Sequence, residues 1–208
     1  EDSEMSLIGN HHWWTVGYGL IGDLQNPRIY GAGLLSSIGE SISALKEDVK
    51  KIPYDINAVN YSFDITTRQP QLFVTPDFAQ LTKVLRDFEN TMALKRGGSY
   101  GLKKAIASDN HATARYSSGL QVSGIFSHFI EENGKVAYLQ TKSPTTLNFN
   151  NTQLPQHGKG HHQDGFGSPV GRIKGIAEAP EMLSEDDLIR YGLEKGKSCE
   201  LEFESGIL

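Results

Sequence analysis

The side chains best suited to bind a metal ion lie in a glycine-rich histidine segment at residues 157–169. Imidazole and carboxylate groups both bind zinc and other divalent ions, so a site could form from His157, His161 or His162, and Asp164. The spacing matches no structural-zinc pattern, and glycines lie on every side. We therefore interpret the segment as a solvated loop with surface histidines, and we keep a metal site as the alternative.

Two earlier segments combine aromatic side chains with glycines and a hydroxyl. Residues 13–20 read WWTVGYGL, and residues 30–40 read YGAGLLSSIGE. Gly31 and Gly33 allow the backbone to approach a ligand closely, and Ser36 supplies a hydrogen-bond donor. On the residues alone, we favour a loop that leads into an ordinary capped helix over a ligand site in the second segment.

These two segments resemble the second half of the catalytic domain of the aromatic amino acid hydroxylases, and within that family the phenylalanine 4-monooxygenases. The similarity keeps one order and spacing through residues 51–53, Tyr61, residues 69–74 and the helix at 75–92, so it covers about the first 93 residues. The remainder resembles the additional C-terminal region of some long bacterial members. We therefore predict an α+β chain, with a partial, mainly helical catalytic domain at 1–109 and a β-rich accessory domain at 110–208.

The resemblance implies hydroxylation of an aromatic ring, that of phenylalanine, with tetrahydropterin and dioxygen at a non-haem Fe(II). It also implies a pocket for the amino-acid substrate. Trp13, Gly33 and Ser36 would line this pocket, and Ser36 would help to hold the substrate carboxylate. Glu40 and Tyr61 would lie close by as support.

The iron ligands of the family are missing from this sequence. The family holds its iron with one carboxylate and two histidines, and the histidines come from a His-Glu-x-x-x-His segment upstream of anything in this chain. The adjacent pairs His11/His12 and His161/His162 cannot replace that segment, because neighbouring side chains point in different directions. Gly17 stands at the carboxylate position, either as a lost ligand or as room for a neighbouring segment. We expect no catalytic residue, metal ligand or cofactor in this chain alone.

Three interpretations of function remain open on the sequence. The chain is a fragment of a hydroxylase that is inactive alone, a non-catalytic module that retains an aromatic amino-acid pocket, or a structural segment of a longer polypeptide. Iron titration separates the enzyme from the other two. Calorimetry with phenylalanine separates the binding module from the structural segment.

The elements that must position these residues are mostly helices in the first half. Residues 4–20 form a helix that is apolar on two faces, and Trp13 and Trp14 point about 100° apart on it. One neighbouring layer cannot cover both, so we predict a homo-oligomer that pairs through this helix. Further helices are predicted at 34–46 and from Thr75 to about Met92, with Thr75 as N-cap and Pro76 at the first helical position.

The second half shows strand alternation and turn signals. We predict a hairpin over residues 120–141 that turns at Asn133-Gly134, because this dipeptide readily takes a positive φ. Ser184 begins a capped helix that reaches about Tyr191. Residues 198–204 alternate as a half-buried strand, which would place Cys199 in the core.

Composition excludes several classes of protein. The 208 residues are 38% hydrophobic and 22% charged, which excludes low-complexity disorder. No apolar run approaches the ~20 residues of a membrane span, and one cysteine cannot build a disulfide scaffold. The net charge of −5 and the lack of a basic patch argue against nucleic-acid binding. The first four residues are acidic rather than signal-like, so we expect a cytoplasmic protein.

Overall fold

The computed structural model describes residues 3–178 and 180–207. They divide into two compact units, a first unit that ends at Lys95 and a second that begins at Arg96. Both units contain helices and strands, and this confirms the α+β class. The compositional change that suggested a domain boundary after residue 109 lies inside the second unit, and the domain assignment itself stays a prediction.

The first unit opens with a helix that changes its pitch near the residues of interest. Helix α1 (Glu4–His12) begins at the N-cap Ser3, whose hydroxyl accepts a hydrogen bond from the Ser6 amide. The chain then forms one π-helical turn over Trp13–Gly17 and leaves the helix at Tyr18, where φ is −129°. The predicted helix over 4–20 is therefore too long. The glycines at its end do not sustain helical geometry, and Leu20 starts a strand.

A four-stranded sheet forms the centre of the first unit. Its strands are β1 (Leu20–Gly22), β2 (Pro27–Ile29), β3 (Lys50–Pro53) and β4 (Gln71–Thr75), in the order β2-β1-β4-β3. Strands β1 and β3 run parallel to β4, and β2 runs antiparallel to β1. Residues 72–75 of β4 are all buried, as expected for an inner strand covered on both faces. These strands are too short to show alternation, so the sequence analysis did not anticipate the sheet.

Four helices and one 3-10 turn lie between and after these strands. The predicted helix at 34–46 is divided into α2 (Ala32–Ser36) and α3 (Ile38–Ala44), because Ser37 is extended between them and caps the second with its hydroxyl. Helix α4 (Phe78–Glu89) is capped by Asp77 rather than by the predicted Thr75, which ends β4. A 3-10 turn at Ile56–Asn60 and helix α5 (Ala93–Arg96) complete the elements.

The second unit is a helix beside a six-stranded sheet. Its elements are α6 (Gly98–Ser108), β5 (His111–Arg115), β6 (Leu120–Glu132), β7 (Lys135–Thr141), β8 (Thr146–Phe149), β9 (Thr152–Gln153), β10 (Gly167–Pro169), a 3-10 turn (Pro180–Met182) and α7 (Glu185–Arg190). The strand order is β10-β7-β6-β8-β9, with β5 paired to β6. Strands β6 and β7 form the predicted antiparallel hairpin, and Asn133 and Gly134 have the expected positive φ. The hairpin prediction is confirmed.

Two predictions for the end of the chain have different outcomes. Ser184 caps α7 as expected, because its hydroxyl accepts a hydrogen bond from the Asp187 amide at 3.1 Å. The predicted strand over 198–204 is wrong: only Phe203 makes a β-bridge, to Ile173, and Cys199 is exposed instead of lying in the core. Alternation predicts a strand only where a partner strand is available, and this segment gains a single bridge.

None of the helices in the described parts of the chain is long and apolar enough to cross a bilayer.

Candidate functional site

A stack of three aromatic rings marks the place where α1 ends. The Tyr18 amide donates to the Trp13 carbonyl at 2.9 Å, the five-residue hydrogen bond of a π-helical turn. The Tyr18 ring stacks on Trp13 with centroids 4.5 Å apart, and the Phe63 ring stacks on Trp13 at 4.1 Å. The Trp13 indole N–H is buried and has no hydrogen-bond partner within the described residues. The stack therefore carries an unused donor.

Glycines bring the two segments of the sequence motif into backbone contact. A Cβ on Gly31 would lie 2.5 Å from the Gly19 nitrogen and 2.6 Å from the Gly17 oxygen. A Cβ on Gly33 would lie 2.8 Å from the same oxygen and 3.0 Å from the Tyr18 ring. Real Cβ atoms do not approach so closely, so only glycine fits at both positions. From the sequence, we expected these glycines to leave room for a ligand. In the structure, the atoms that lie against them belong to residues 17–19.

Tyr18 connects the predicted site residues, although the sequence analysis assigned it no role. Its ring stacks on Trp13 and occupies the space that a Cβ on Gly33 would need, and its hydroxyl lies 3.2 Å from a carboxylate oxygen of Glu40. Burial, followed by the charge of Glu40 and the hydrogen bond to it, raises the pKa of Tyr18 above its ordinary value. The hydroxyl therefore stays protonated and donates to Glu40. The signal that could have identified Tyr18 is its place in the WWTVGYGL segment.

The other two predicted site residues lie at the margin of this group. Ser36 is exposed, and its hydroxyl donates to the Gly33 carbonyl at 2.8 Å. The carbonyl of Tyr61 accepts the indole N–H of Trp14 at 3.0 Å, while the Tyr61 ring packs edge-on against Phe73. The structure thus brings Trp13, Gly33 and Glu40 together around Tyr18. The pocket roles of all five predicted residues stay predictions.

The space around these residues is small. Tyr18, Leu34 and Glu40 line a cavity of about 10 Å³, which is close to the volume that one water needs. A wider apolar groove of about 540 Å³ lies at the carboxyl ends of β1, β3 and β4, and it is lined by Gly22, Asp23, Leu24, Pro53, Val74 and Pro76. None of the five predicted site residues lines the wider groove.

The donor atoms of the first unit do not fit the iron that the resemblance implies. Gly17 offers no ligand atom, although a Cβ there would meet nothing within 4 Å. His11 is buried, its Nδ1 lies 2.7 Å from the Tyr54 hydroxyl, and burial lowers its pKa. His12 is exposed. Over the described part of this unit, residues 3–95, no three metal-binding side chains come together.

The histidine segment of the second unit is organised differently. The ring nitrogens of His157, His161 and His162 lie within 4.8 Å of one another, and Asp164 is not part of the group. Partial burial, and after it the neighbouring His161 and His157, lower the pKa of His162. The sequence analysis preferred a solvated loop here, and the structure assembles three of the four candidate ligands.

Comparison with known proteins shows a family resemblance for the first unit. A sequence profile of the biopterin-dependent aromatic amino acid hydroxylases matches residues 1–103. A phenylalanine-4-hydroxylase of Dictyostelium discoideum is 35% identical over 91 residues, which are 43% of this chain and 21% of that protein. A phenylalanine-4-hydroxylase of Vibrio cholerae is 38% identical over 80 residues, which are 38% of this chain and 28% of that protein.

A solved structure is similar over part of the chain. It is the iron- and phenylalanine-bound phenylalanine hydroxylase of Chromobacterium violaceum, 34% identical, with a TM-score of 0.36 over 42% of this chain and 31% of that one. The chain thus spans less than a third of the length of these relatives. Through its first 103 residues, this chain is similar to the biopterin-dependent aromatic amino acid hydroxylases.

Proposed function

We propose that the first unit is the part of a phenylalanine hydroxylase domain that binds and orients the amino-acid substrate. The observation that carries this proposal is the stack of Tyr18, Trp13 and Phe63, whose central indole keeps a buried, unused N–H. A buried donor without a partner costs free energy unless a ligand or water satisfies it. Phenylalanine has an aromatic ring with polar groups at one end. Its ring matches the aromatic stack, and its polar groups match the unused N–H donor.

Each residue has a physical role in this proposal. Phe63 is 36% exposed, so its ring offers a surface on which a substrate ring can stack. Glu40 fixes the Tyr18 ring through the hydroxyl hydrogen bond, and Tyr18 in turn supports Trp13. The exposed hydroxyl of Ser36 can rotate from the Gly33 carbonyl toward a substrate carboxylate. These residues bind and orient a substrate, and no step at the substrate ring is assigned to them.

We also propose that this chain does not hydroxylate phenylalanine by itself. Iron and tetrahydropterin carry the oxygen chemistry in the family, and the donor set around Gly17 does not fit the iron. A non-catalytic module that binds an aromatic amino acid is the second candidate, and the same Gly17 favours it. Product analysis with Fe(II), tetrahydropterin and dioxygen tests this point: tyrosine formation by the isolated chain would contradict it.

Substrate binding is tested by calorimetry with L-phenylalanine and a pair of matched serine variants. Ser36 is exposed and Ser41 is half-buried, and both donate to the carbonyl three residues earlier, at 2.8 and 3.1 Å. We expect Ser36→Ala to weaken binding about tenfold or more, since a hydrogen bond to a charged group contributes about 1.5–3 kcal/mol. Ser41→Ala should bind like the unaltered chain. If phenylalanine does not bind at all, the first unit is a structural segment.

Two further expectations from the sequence belong to the proposal. Self-association through α1 is supported by Met5, which is 72% exposed, and by Val16 in the following turn, which is 53% exposed. Trp14 no longer supports it, since this ring is fully buried within the first unit. Light scattering of Met5→Glu and of the unaltered chain tests the pairing, and a monomer at micromolar concentration in both would contradict it.

A cytoplasmic location is proposed on the single, exposed cysteine.

A further inference from the structure

The three histidines of the second unit form a compact cluster of imidazoles. His157 Nδ1 lies 3.0 Å from His162 Nε2, with the two rings nearly parallel at an interplanar angle of 17°. The His161 ring meets the His162 ring edge-on at a centroid distance of 4.7 Å. One ligand nitrogen from each residue falls within 4.8 Å of the other two. Each imidazole thus has the other two as close neighbours.

The backbone holds this cluster against strand β8. The amide of Leu147 in β8 donates to the His157 carbonyl at 3.0 Å, and the amide of Thr145 donates to the His162 carbonyl at 3.0 Å. Both ends of the cluster are therefore fixed, although the segment looked like a mobile loop in the sequence. The Phe166 ring packs edge-on against His162 and belongs to the core of the second unit, which restricts the rotation of that imidazole.

The distances suit a tetrahedral metal ion. Nitrogens that bind zinc at about 2.0–2.1 Å in tetrahedral geometry lie about 3.3 Å from each other. The 3.0 Å between His157 and His162 is already close to that value. Only the His161 ring, which is exposed, must move its nitrogen inward. Imidazole donors select zinc and similar transition ions over calcium or magnesium, which prefer oxygen.

We propose that His157, His161 and His162 bind one zinc ion, with the fourth coordination position open to water or another ligand. The site lies wholly in the second unit, outside residues 1–103 that the family profile matches. It therefore does not depend on the function proposed for the first unit. Three histidine ligands and one open position are also the ligand set of several catalytic zinc sites, whereas closed structural sites use four protein ligands.

The test is titration of the full chain with Zn²⁺ alone by calorimetry, and with Co²⁺ alone by visible absorption. All proteins carry Cys199→Ser, because the exposed thiol could itself bind these ions. We expect one ion per chain and a tetrahedral Co²⁺ spectrum. His161→Ala removes the exposed ligand with the least risk to folding. It should weaken zinc binding by at least the ~10–100-fold that loss of an outer-shell partner costs.

The matched controls are His111→Ala and His128→Ala, which remove exposed histidines of neighbouring strands in the same unit. Both controls should keep the stoichiometry and the affinity. Circular dichroism checks that each variant is folded. The proposal is wrong if neither ion binds saturably, or if His161→Ala binds zinc as tightly as the two controls.

Discussion

The motif region of the first unit and the histidine cluster of the second differ in where their polar atoms find partners. In the motif region two side chains already donate to partners distant in sequence, Trp14 to Tyr61 and Tyr18 to Glu40, while the indole N–H of Trp13 has no partner among the described residues. In the cluster, the His157 Nδ1 atom lies 3.0 Å from another imidazole nitrogen, His162 Nε2. The first region is arranged as a packed scaffold, and the second as a set of donors that can still accept an ion.

This difference shows that resemblance to a family and the ability to bind a metal are separate properties of a segment. The motif region is similar in sequence to the hydroxylases, yet Gly17, which the resemblance places at their carboxylate position, offers no ligand atom. The histidine cluster lies outside the matched residues, yet it gathers three nitrogen ligands. A matched motif therefore locates the scaffold of a site, while the donor atoms decide what that site can bind.

The glycine contact in the motif region should give the largest effect on stability. We expect Gly31→Ala to lower the free energy of unfolding by about 3 kcal/mol, because its Cβ would press on backbone atoms that cannot move aside. Gly31 has φ −62° and ψ 128°, which alanine adopts freely, so the cost is steric. Both tryptophans of the chain lie in the first unit, so their fluorescence during denaturant unfolding measures it.

The matched control is Gly9→Ala in helix α1. A Cβ on Gly9 would meet no atom within 4 Å, and alanine is the better helix former by about 1 kcal/mol. The two glycine variants should therefore shift the unfolding midpoint in opposite directions. A Gly31→Ala protein as stable as the unaltered chain would show that the backbone contact between the two motif segments is not tight.

Zinc should give the next largest effect, in the second unit. An ion that binds only the folded state stabilises it by about 2.7 kcal/mol when its free concentration is 100 times Kd. We expect that increase in the thermal unfolding of the second unit, followed by circular dichroism, and its reversal by a chelator. His161→Ala should abolish the increase. Equal stabilisation of the variant and the unaltered chain would place the ion elsewhere.

The buried pair of His11 and Tyr54 tests whether polar partners in the first unit are already satisfied. Tyr54→Phe leaves His11 Nδ1 buried without its partner, and His11 Nε2 already has none in the described residues. We expect a loss of about 2 kcal/mol, which is typical for a buried group without a hydrogen bond. Tyr61→Phe, which changes a partly exposed ring, is the control and should cost much less.

The same pair makes stability depend on pH with a defined sign. Burial lowers the pKa of His11 below its ordinary value of 6.5, so below that pH the unfolded chain takes up a proton that the folded chain still refuses. The stabilising contribution is complete above pH 6.5 and is lost as the pH falls toward the lowered pKa. The slope is at most about 1.4 kcal/mol per pH unit. His11→Phe should flatten this decline in unfolding titrations, and an unchanged slope would exclude His11 as its source.

The structure shows which features of a sequence are readable and why. The Ser184 cap and the Asn133-Gly134 turn act within three or four residues, so the local sequence contains the whole interaction. The sheet of the first unit pairs Leu20 with Val74, and a strand as short as β1 carries no alternation that reveals such a partner. Residues 198–204 show the opposite case: the sequence alternates like a strand, but the segment has no full partner strand.

The residues of the candidate site also differ in whether the sequence could reveal them. The resemblance located Trp13, Gly33 and Glu40, which the structure brings together. It passed over Tyr18, because the role of this ring follows from a π-helical turn that no propensity predicts. The clustering of the three histidines depends on the hydrogen bonds that hold the segment to β8, and these join residues that are not neighbours in sequence.

We expect the smallest effect on stability when a carboxylate is placed at residue 17 of the motif region. This variant also tests the contrast with the histidine cluster most directly. Gly17→Glu has room for its side chain, because a Cβ there meets no atom within 4 Å, so stability should change by no more than about 1 kcal/mol. One carboxylate cannot replace the three ligands of a facial iron site, so in Fe(II) calorimetry Gly17→Glu should bind no more iron than the unaltered chain. Gly9→Glu is the matched control, since it adds the same charge to an equally open helical glycine outside the motif. Tight 1:1 binding of Fe(II) by Gly17→Glu but not by Gly9→Glu would mean that the motif region still holds the other ligands, and the contrast with the histidine cluster would then be wrong.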